Sequence, residues 1–222
     1  MAPNKRWLIG SAVAAVALYA VLWIGYTQQW WWLTRLDSAL LDGFYRDGDA
    51  HPGWVLGWHV FCTVLGPMAF RLVTLVVIVI ALVRRNVRIA MFLLITVEIS
   101  GLITEAAKRA VDRPRPDTAL VSALGSSFPS GHALGVMVAV LALLTVALPV
   151  VRGSVRMWLV VLGVVIVAAI GLGRVVLNVH HPSDVLAGWA LGYAYFAVCY
   201  ALVWPTQPIT RPDETPEALG TA

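Results

Sequence analysis

Three polar clusters interrupt an otherwise oily chain, and their residue types suit one chemistry. The first is Lys108-Arg109-Ala110-Val111-Asp112-Arg113-Pro114-Arg115-Pro116, the second Pro129-Ser130-Gly131-His132, and the third runs from Arg174 to Asp184 with His180 and His181 inside it. Phosphoryl transfer needs positive charge around the equatorial oxygens, a nucleophile in line with the leaving oxygen, and a proton for that oxygen. Lys108, Arg115 and Arg174 supply three cations, and arginine adds planar paired donors. Ser130 and Gly131 stand just before an apolar run, where free backbone N–H groups and the helix dipole favour an anion. His132 is an ionisable group at that boundary. Asp184 follows His180 by four residues with Pro182 turning the chain between them, so a carboxylate can hold one ring nitrogen and leave the other free to attack.

Taken singly, each feature has a plain structural account. Basic loops flank membrane spans, Ser-Gly caps helices, and a histidine near an aspartate is more often a structural hydrogen bond. Their joint occurrence on one face of the bundle is what points to chemistry, and that depends on the elements carrying them.

Of the 222 residues, 59% are apolar and only 13% charged, and the mean hydropathy is +0.80, which places the chain in a bilayer. A spanning helix needs about 20 apolar residues. Six runs qualify: Trp7 to Tyr26, Met68 to Val83, Val87 to Ala107, His132 to Val151, Met157 to Leu177 and Asp184 to Trp204. The second could extend backwards through Trp54, Trp58, Phe61 and Leu65, a stripe that could equally lie at the surface. Leu33 to Arg46 puts Leu36, Leu40, Leu41 and Phe44 on one helical face and Arg35, Asp37 and Asp42 elsewhere. It reads as an interfacial helix, either covering a lipid access path or acting as a packed connector.

The expected fold is therefore an all-α polytopic membrane protein, with a domain over 1–204 and a Pro-rich, acidic tail over 205–222 read as disordered and cytoplasmic. Short basic gaps at Lys5 and Arg6, at Arg84, Arg85 and Arg88, and at Arg152 and Arg156 fall on one side, which predicts both termini inside the plasma (inner) membrane and the three polar clusters outside. The four cations Lys108, Arg109, Arg113 and Arg115 resist that bias unless they have another use. The formal charge of +4 is explained by topology and an anion site and not by nucleic acid. Cys62 and Cys199 have neither disulfide nor metal-ligand spacing.

The spacings Lys108 with six residues before Arg115-Pro116, then Pro129-Ser130-Gly131-His132, then Arg174 with five residues before His180 and three before Asp184, resemble the three-part signature of the type 2 phosphatidic acid phosphatase superfamily. The resemblance covers about Val87 to Trp204. It implies a phosphatase using no metal and no cofactor: His180 as a nucleophile forming a phosphohistidine, Asp184 orienting it, His132 as acid and then base, and Lys108, Arg115, Ser130, Gly131 and Arg174 binding the phosphate. Only the motif spacing selects His180 over His181. The common third motif has Ser before its Arg, whereas Gly173 stands here, one hydroxyl fewer.

The expected activity is hydrolysis of a lipid phosphate or pyrophosphate: an isoprenoid carrier pyrophosphate, phosphatidylglycerol phosphate or phosphatidic acid. A phosphotransferase built on the same histidine remains a rival, as does a small transporter in which Glu98 and the basic loop line a pathway. Glu98 sits mid-span, seven residues before Glu105, and a pairing that orients Lys108 is the favoured account of these acids.

Overall fold

With no water in a bilayer core to satisfy backbone groups, long apolar runs form helices. The computed structural model describes residues 5–204, and among these all regular structure is helical. The order is α1 (Lys5–Thr27), α2 (Trp31–Ala50), α3 (Pro52–Val64), α4 (Pro67–Val83), α5 (Val87–Leu93), a π-helical turn (Leu94–Glu98), α6 (Ser100–Val111), α7 (Gly131–Ala147), α8 (Gly153–Val176) and α9 (Pro182–Val203). Five stretches are long and apolar enough to cross a membrane: Lys5–Thr27, Pro52–Val83, Val87–Val111, Gly153–Val176 and Pro182–Val203. The fourth expected span, Gly131–Ala147, is apolar but 17 residues long. The expected tail over 205–222 lies outside the described residues.

Three sequence expectations shift. The second span does extend backwards through Trp54, Trp58, Phe61 and Leu65, over Pro52–Val83, but with a break in the helix between Val64 and Pro67. Pro67 restarts it at the first helical turn, where a missing N–H costs nothing. Trp58, Phe61 and Leu65 pack on Val136, Ile170 and Leu177 instead of lying at the surface. The third span is interrupted by the π turn, a single-turn irregularity of a kind frequent at functional sites. On α2 the buried stripe is Leu33, Asp37, Leu41 and Gly48, while Leu36 and Leu40 are exposed. The inward face is rotated from the expected one, and a carboxylate lies within it.

This short apolar helix, α7, is also the most central. α7 packs against α4, α6, α8 and α9, and eight of its residues from Ala133 to Ala142 are buried. Close approach is made possible by Gly188 and Gly192 of α9. A Cβ on Gly188 would stand 2.6 Å from the Ser130 carbonyl oxygen, and one on Gly192 3.0 Å from that of Leu134. Small residues are how helices associate where no hydrophobic gradient separates side chain from lipid. The C-termini of α6 and α8 and the N-termini of α7 and α9 then meet at one end of the bundle, carrying the three polar clusters with them.

Gly188→Val is expected to lower the thermal midpoint of the detergent-solubilised protein by several degrees, the cost of overpacking being about 1–3 kcal/mol. Gly43→Ala, which meets nothing within 4 Å inside α2, should leave it unchanged or raise it slightly, since Ala favours the helix; equal midpoints for the two variants would contradict this packing.

Candidate active site

Each polar cluster is delivered by a helix end. α6 stops at Asp112, whose left-handed backbone (φ 45°) is one that Asp tolerates better than most residues. α7 starts at Gly131 with Ser130 as its cap, the Ser130 Oγ accepting from Ala133 N–H. α8 ends after Arg174, and the turn through Asn178 (φ 51°) sends His180 back toward the bundle. Asn178 is held there by its side-chain N–H donating to the Leu41 carbonyl and to Thr118 Oγ1. α9 begins at Pro182.

These ends bring the expected site residues together. The Arg115 Nη1 lies 3.3 Å from His180 Nε2. Because guanidinium only donates, Nε2 accepts and the neutral ring carries its proton on Nδ1, toward Asp184. Arg115 is fixed by donating to the carbonyls of Val179, Leu124 and Gly125 at 2.6, 2.8 and 3.0 Å. Lys108 lies over the start of α7, its Cε 3.9 Å from where a Gly131 Cβ would be. That glycine lets a bound group reach the backbone. Arg174 is buried, and its Nε has no hydrogen-bond partner among the described residues. His132 is half-buried at the entrance to α7, its ring 3.4 Å from where a Gly66 Cβ would stand, and it feels the charges of Arg174, Lys108 and Arg115 as well as His180. Three cations, the first N–H groups of α7 and two imidazoles therefore share one cradle. Gly173, where the motif's usual Ser is missing, faces Cys62: a Cβ there would stand 2.5 Å from its Sγ.

Asp184 does not sit as simply as the spacing suggested. Its Oδ2 is 3.6 Å from His180 Nδ1, too long for a hydrogen bond, and Nδ1 is unpartnered. The same oxygen accepts from the His181 backbone N–H at 2.8 Å and lies 3.2 Å from His181 Nδ1, closing a capping box at the head of α9. The two histidines are nevertheless unlike. His180 is 1% exposed and faces Arg115, whereas His181 opens onto an outer cavity of about 480 Å³ between α2 and the 113–118 loop. Burial pushes the His180 imidazolium down to about 4, with Arg174 and Arg115 acting in the same direction and Asp184 opposing them. The ring is thus neutral across the physiological range. Burial likewise lowers the Arg115 guanidinium from its ordinary value, and Asp184 acts in the opposite sense.

A second layer was not anticipated from sequence. Arg113 Nη1 donates to Asp184 Oδ1 and Ser183 Oγ, both at 2.7 Å, and Nη2 to Asp37 Oδ2 at 2.9 Å. Asp37 also accepts from the Ser183 backbone N–H at 3.0 Å and from its Oγ at 2.6 Å. Ser127 Oγ donates to Asp184 Oδ2, and the Tyr26 ring stacks on the Arg113 guanidinium at 4.6 Å. Of the two arginines in Arg113-Pro114-Arg115, one turns to the cradle and the other holds the carboxylate beneath it. The available signal was Asp37, placed at i+4 from Leu33 and i−4 from Leu41. Glu105, expected to help orient Lys108, instead pairs with Arg109 at 3.2 Å on the exposed face.

The chain is similar to known proteins. The sequence profile of the PAP2 superfamily matches residues 89–208. A lipid A 1-phosphatase of Rhizobium johnstonii is 35% identical over 129 residues, 52% of this chain and 48% of that protein. A phosphatidylglycerophosphatase B of Bacillus subtilis is 36% identical over 99 residues, 43% of this chain and 48% of that protein, and an undecaprenyl-diphosphatase of Sulfolobus acidocaldarius is 28% identical over 138 residues, 59% and 63% respectively. The chain spans about half the length of the first of these. The crystal structure of a transmembrane PAP2-type phosphatidylglycerolphosphate phosphatase from Bacillus subtilis superposes with a TM-score of 0.67 over 87% of this chain and 94% of that one, at 22% identity, which speaks to the fold. With a profile match over more than half its length and a bundle of apolar helices that makes it an integral membrane protein, the chain belongs to the PAP2 superfamily.

Proposed function

We propose that this protein hydrolyses a lipid phosphate or lipid pyrophosphate through a phosphohistidine, with no metal. The observation that carries the reading is the Nε2 of His180 held 3.3 Å from Arg115 Nη1 inside a three-cation cradle. Nε2 attacks phosphorus, the P–O bond to the lipid breaks, and His132 gives its proton to the departing oxygen. A bound dianion favours that proton on the neighbouring imidazole. His132 then takes a proton from water as the water oxygen attacks the phosphohistidine, the N–P bond breaks and phosphate leaves. Lys108, Arg115, Arg174 and the N–H groups of Gly131 and His132 balance the charge on the equatorial oxygens, while the Ser130 backbone N–H is already spent on the Asp184 carbonyl at 2.9 Å. Asp184 stands behind Nδ1, placed to close on it as positive charge develops on the ring.

The names of the relatives, a lipid A 1-phosphatase among them, support a lipid phosphate as substrate, and two of them fit the expected isoprenoid pyrophosphate and phosphatidylglycerol phosphate; phosphatidic acid is a third candidate. We further infer six crossings. At 17 residues α7 reaches about 25 Å, the lower limit for a span, and it is sheathed by other helices. Six crossings and the basic gaps at Arg84, Arg85, Arg88, Arg152 and Arg156 put both termini in the cytoplasm and the cradle at the extracytoplasmic face of the inner membrane.

Purified protein in EDTA should turn over lipid phosphates, and His180→Ala and His132→Ala should each lower kcat by at least about 100-fold. Vanadate should inhibit as a trigonal bipyramidal mimic; activity abolished by EDTA, or retained in both variants, removes the mechanism, and retention in His180→Ala with loss in His181→Ala reassigns the nucleophile.

Corrected for ionisation of the substrate, kcat/KM should keep its nucleophile active as pH falls through 6.5 and lose it only near 4, since His180 is depressed toward about 4 in the fold. The same depression means the unfolded chain takes up protons first, so His180 withdraws stability as pH drops below about 6.5. A His180 imidazole resonance that titrates near 6.5 in the folded protein would contradict the burial argument.

A cysteine replacing Ser126 should react with an impermeant thiol reagent in intact cells. Labelling only after lysis inverts the topology.

A further inference from the structure

Arg71 is a cation in an apolar helix with no hydrogen bond and no ion pair within 4.0 Å among the described residues. It lies on α4 one turn in from Pro67, half-buried, and its Nη2 would be 2.4 Å from a Cβ on Gly101 of α6. A guanidinium at membrane depth whose opposite charge, Glu98, stands beyond ion-pair distance is costly and suits a path for something charged.

Its place relative to the cradle is set by packing. Thr104 Cγ2 lies 3.2 Å from where a Gly131 Cβ would be, so Thr104 is level with the start of α7, and Gly101 is three residues, about 4.5 Å, deeper along α6. Gly101, Thr104 and Lys108 share one helical face. α4 packs along α5, the π turn and α7, whereas α6 packs on α7, so α4 and α6 diverge with Arg71 reaching across the seam. Met68, Leu72, Ile99 and Leu102 on its flanks are exposed toward the lipid. Glu98 lies a further three residues down, at the π turn. Its Oε1 is buried without a partner, and its charge faces Arg71 from the side away from the cradle. The anion that fits Arg71 therefore comes between it and the cradle.

We propose that Arg71, seated against Gly101, is a second anion subsite that holds the phosphate remaining on the lipid while the terminal phosphate is transferred in the cradle. The inference rests on the lipid phosphatase reading and narrows it: the preferred substrates carry a second phosphate on the bilayer side of the scissile one, bonded directly or through a short polyol, and phosphatidate does not.

The test compares wild type, Arg71→Ala, Arg71→Lys and Gly101→Ala in mixed micelles on a prenyl diphosphate, on phosphatidylglycerol phosphate, and on phosphatidate and p-nitrophenyl phosphate as single-phosphate references. Loss of a charge-assisted contact predicts that Arg71→Ala lowers kcat/KM for a two-phosphate lipid about 10- to 100-fold, chiefly through KM, with the references within about 2-fold. Arg71→Lys should restore part of the loss. Gly101→Ala, which displaces the guanidinium while keeping the charge and favouring the helix, should act in the same direction and serves if Arg71→Ala fails to fold. A loss confined to one of the two lipids identifies the spacer. Equal losses on all substrates, no loss on any, or a wild type that accepts only the single-phosphate compounds overturns the subsite; a wild type inert toward every phosphate removes the phosphatase reading and the subsite with it.

Discussion

The arrangement depends on one buried guanidinium. Arg113 joins Asp37 of α2, Ser183 and Asp184 at the head of α9, and the Tyr26 ring at the end of α1, so that four segments distant in sequence are tied at a point where Arg113, Asp37, Ser183 and Asp184 are nearly dry. Two carboxylates around one arginine would be expensive to bury alone. The hydroxyls of Ser127 and Ser183 and the backbone N–H groups of His181 and Ser183 take up the remaining lone pairs. A buried pair so completed is about neutral for stability against an apolar replacement, but removing one partner leaves a stranded charge, at about 3–5 kcal/mol. The network therefore specifies geometry more than it adds stability.

That geometry divides labour between neighbours. Arg113 and Arg115 are separated by a proline that fixes the backbone between them, and they point to opposite sides of the same loop: one into the cradle beside His180, one beneath Asp184. His180 and His181 divide in the same way, one buried against Arg115 and one capping α9 through Asp184. Asp184 thus has two functions in this structure. It caps the N-terminus of α9, and it stands 3.6 Å behind the proposed nucleophile, near enough to respond when that ring becomes charged.

The cradle itself is assembled from helix ends because ends are where backbone donors are free. α7 contributes its N-terminus, and its central, glycine-lined packing against α9 keeps Ser130, Gly131 and Asp184 in register through the Ser130 N–H to Asp184 carbonyl bond at 2.9 Å. The break before α4 has a consequence for the cradle: Gly66, Pro67 and the first turn of α7 lie side by side, so His132 is packed against the turn that joins α3 to α4.

The apolar helices, their approximate ends and the three polar clusters were legible in the sequence, because a bilayer permits little but helix for runs of that composition and because Lys108, Arg115, Ser130, His132, Arg174, His180 and Asp184, with Gly131 among them, fall in short polar stretches between apolar runs. The sequence could not show which way neighbours turn. Arg113 looked like another loop cation, Asp37 like an outward charge on an interfacial helix, and Glu105 like a partner for Lys108, since each assignment depends on the rotation of a helix or loop about its axis. That rotation is fixed by long-range packing: the Gly188 and Gly192 contacts, the Leu33 and Leu41 stripe, and the Gly101 notch that receives Arg71. Only the tertiary structure, by bringing residues 37, 113 and 184 into hydrogen-bond distance, decided which charges face the cradle and which hold it.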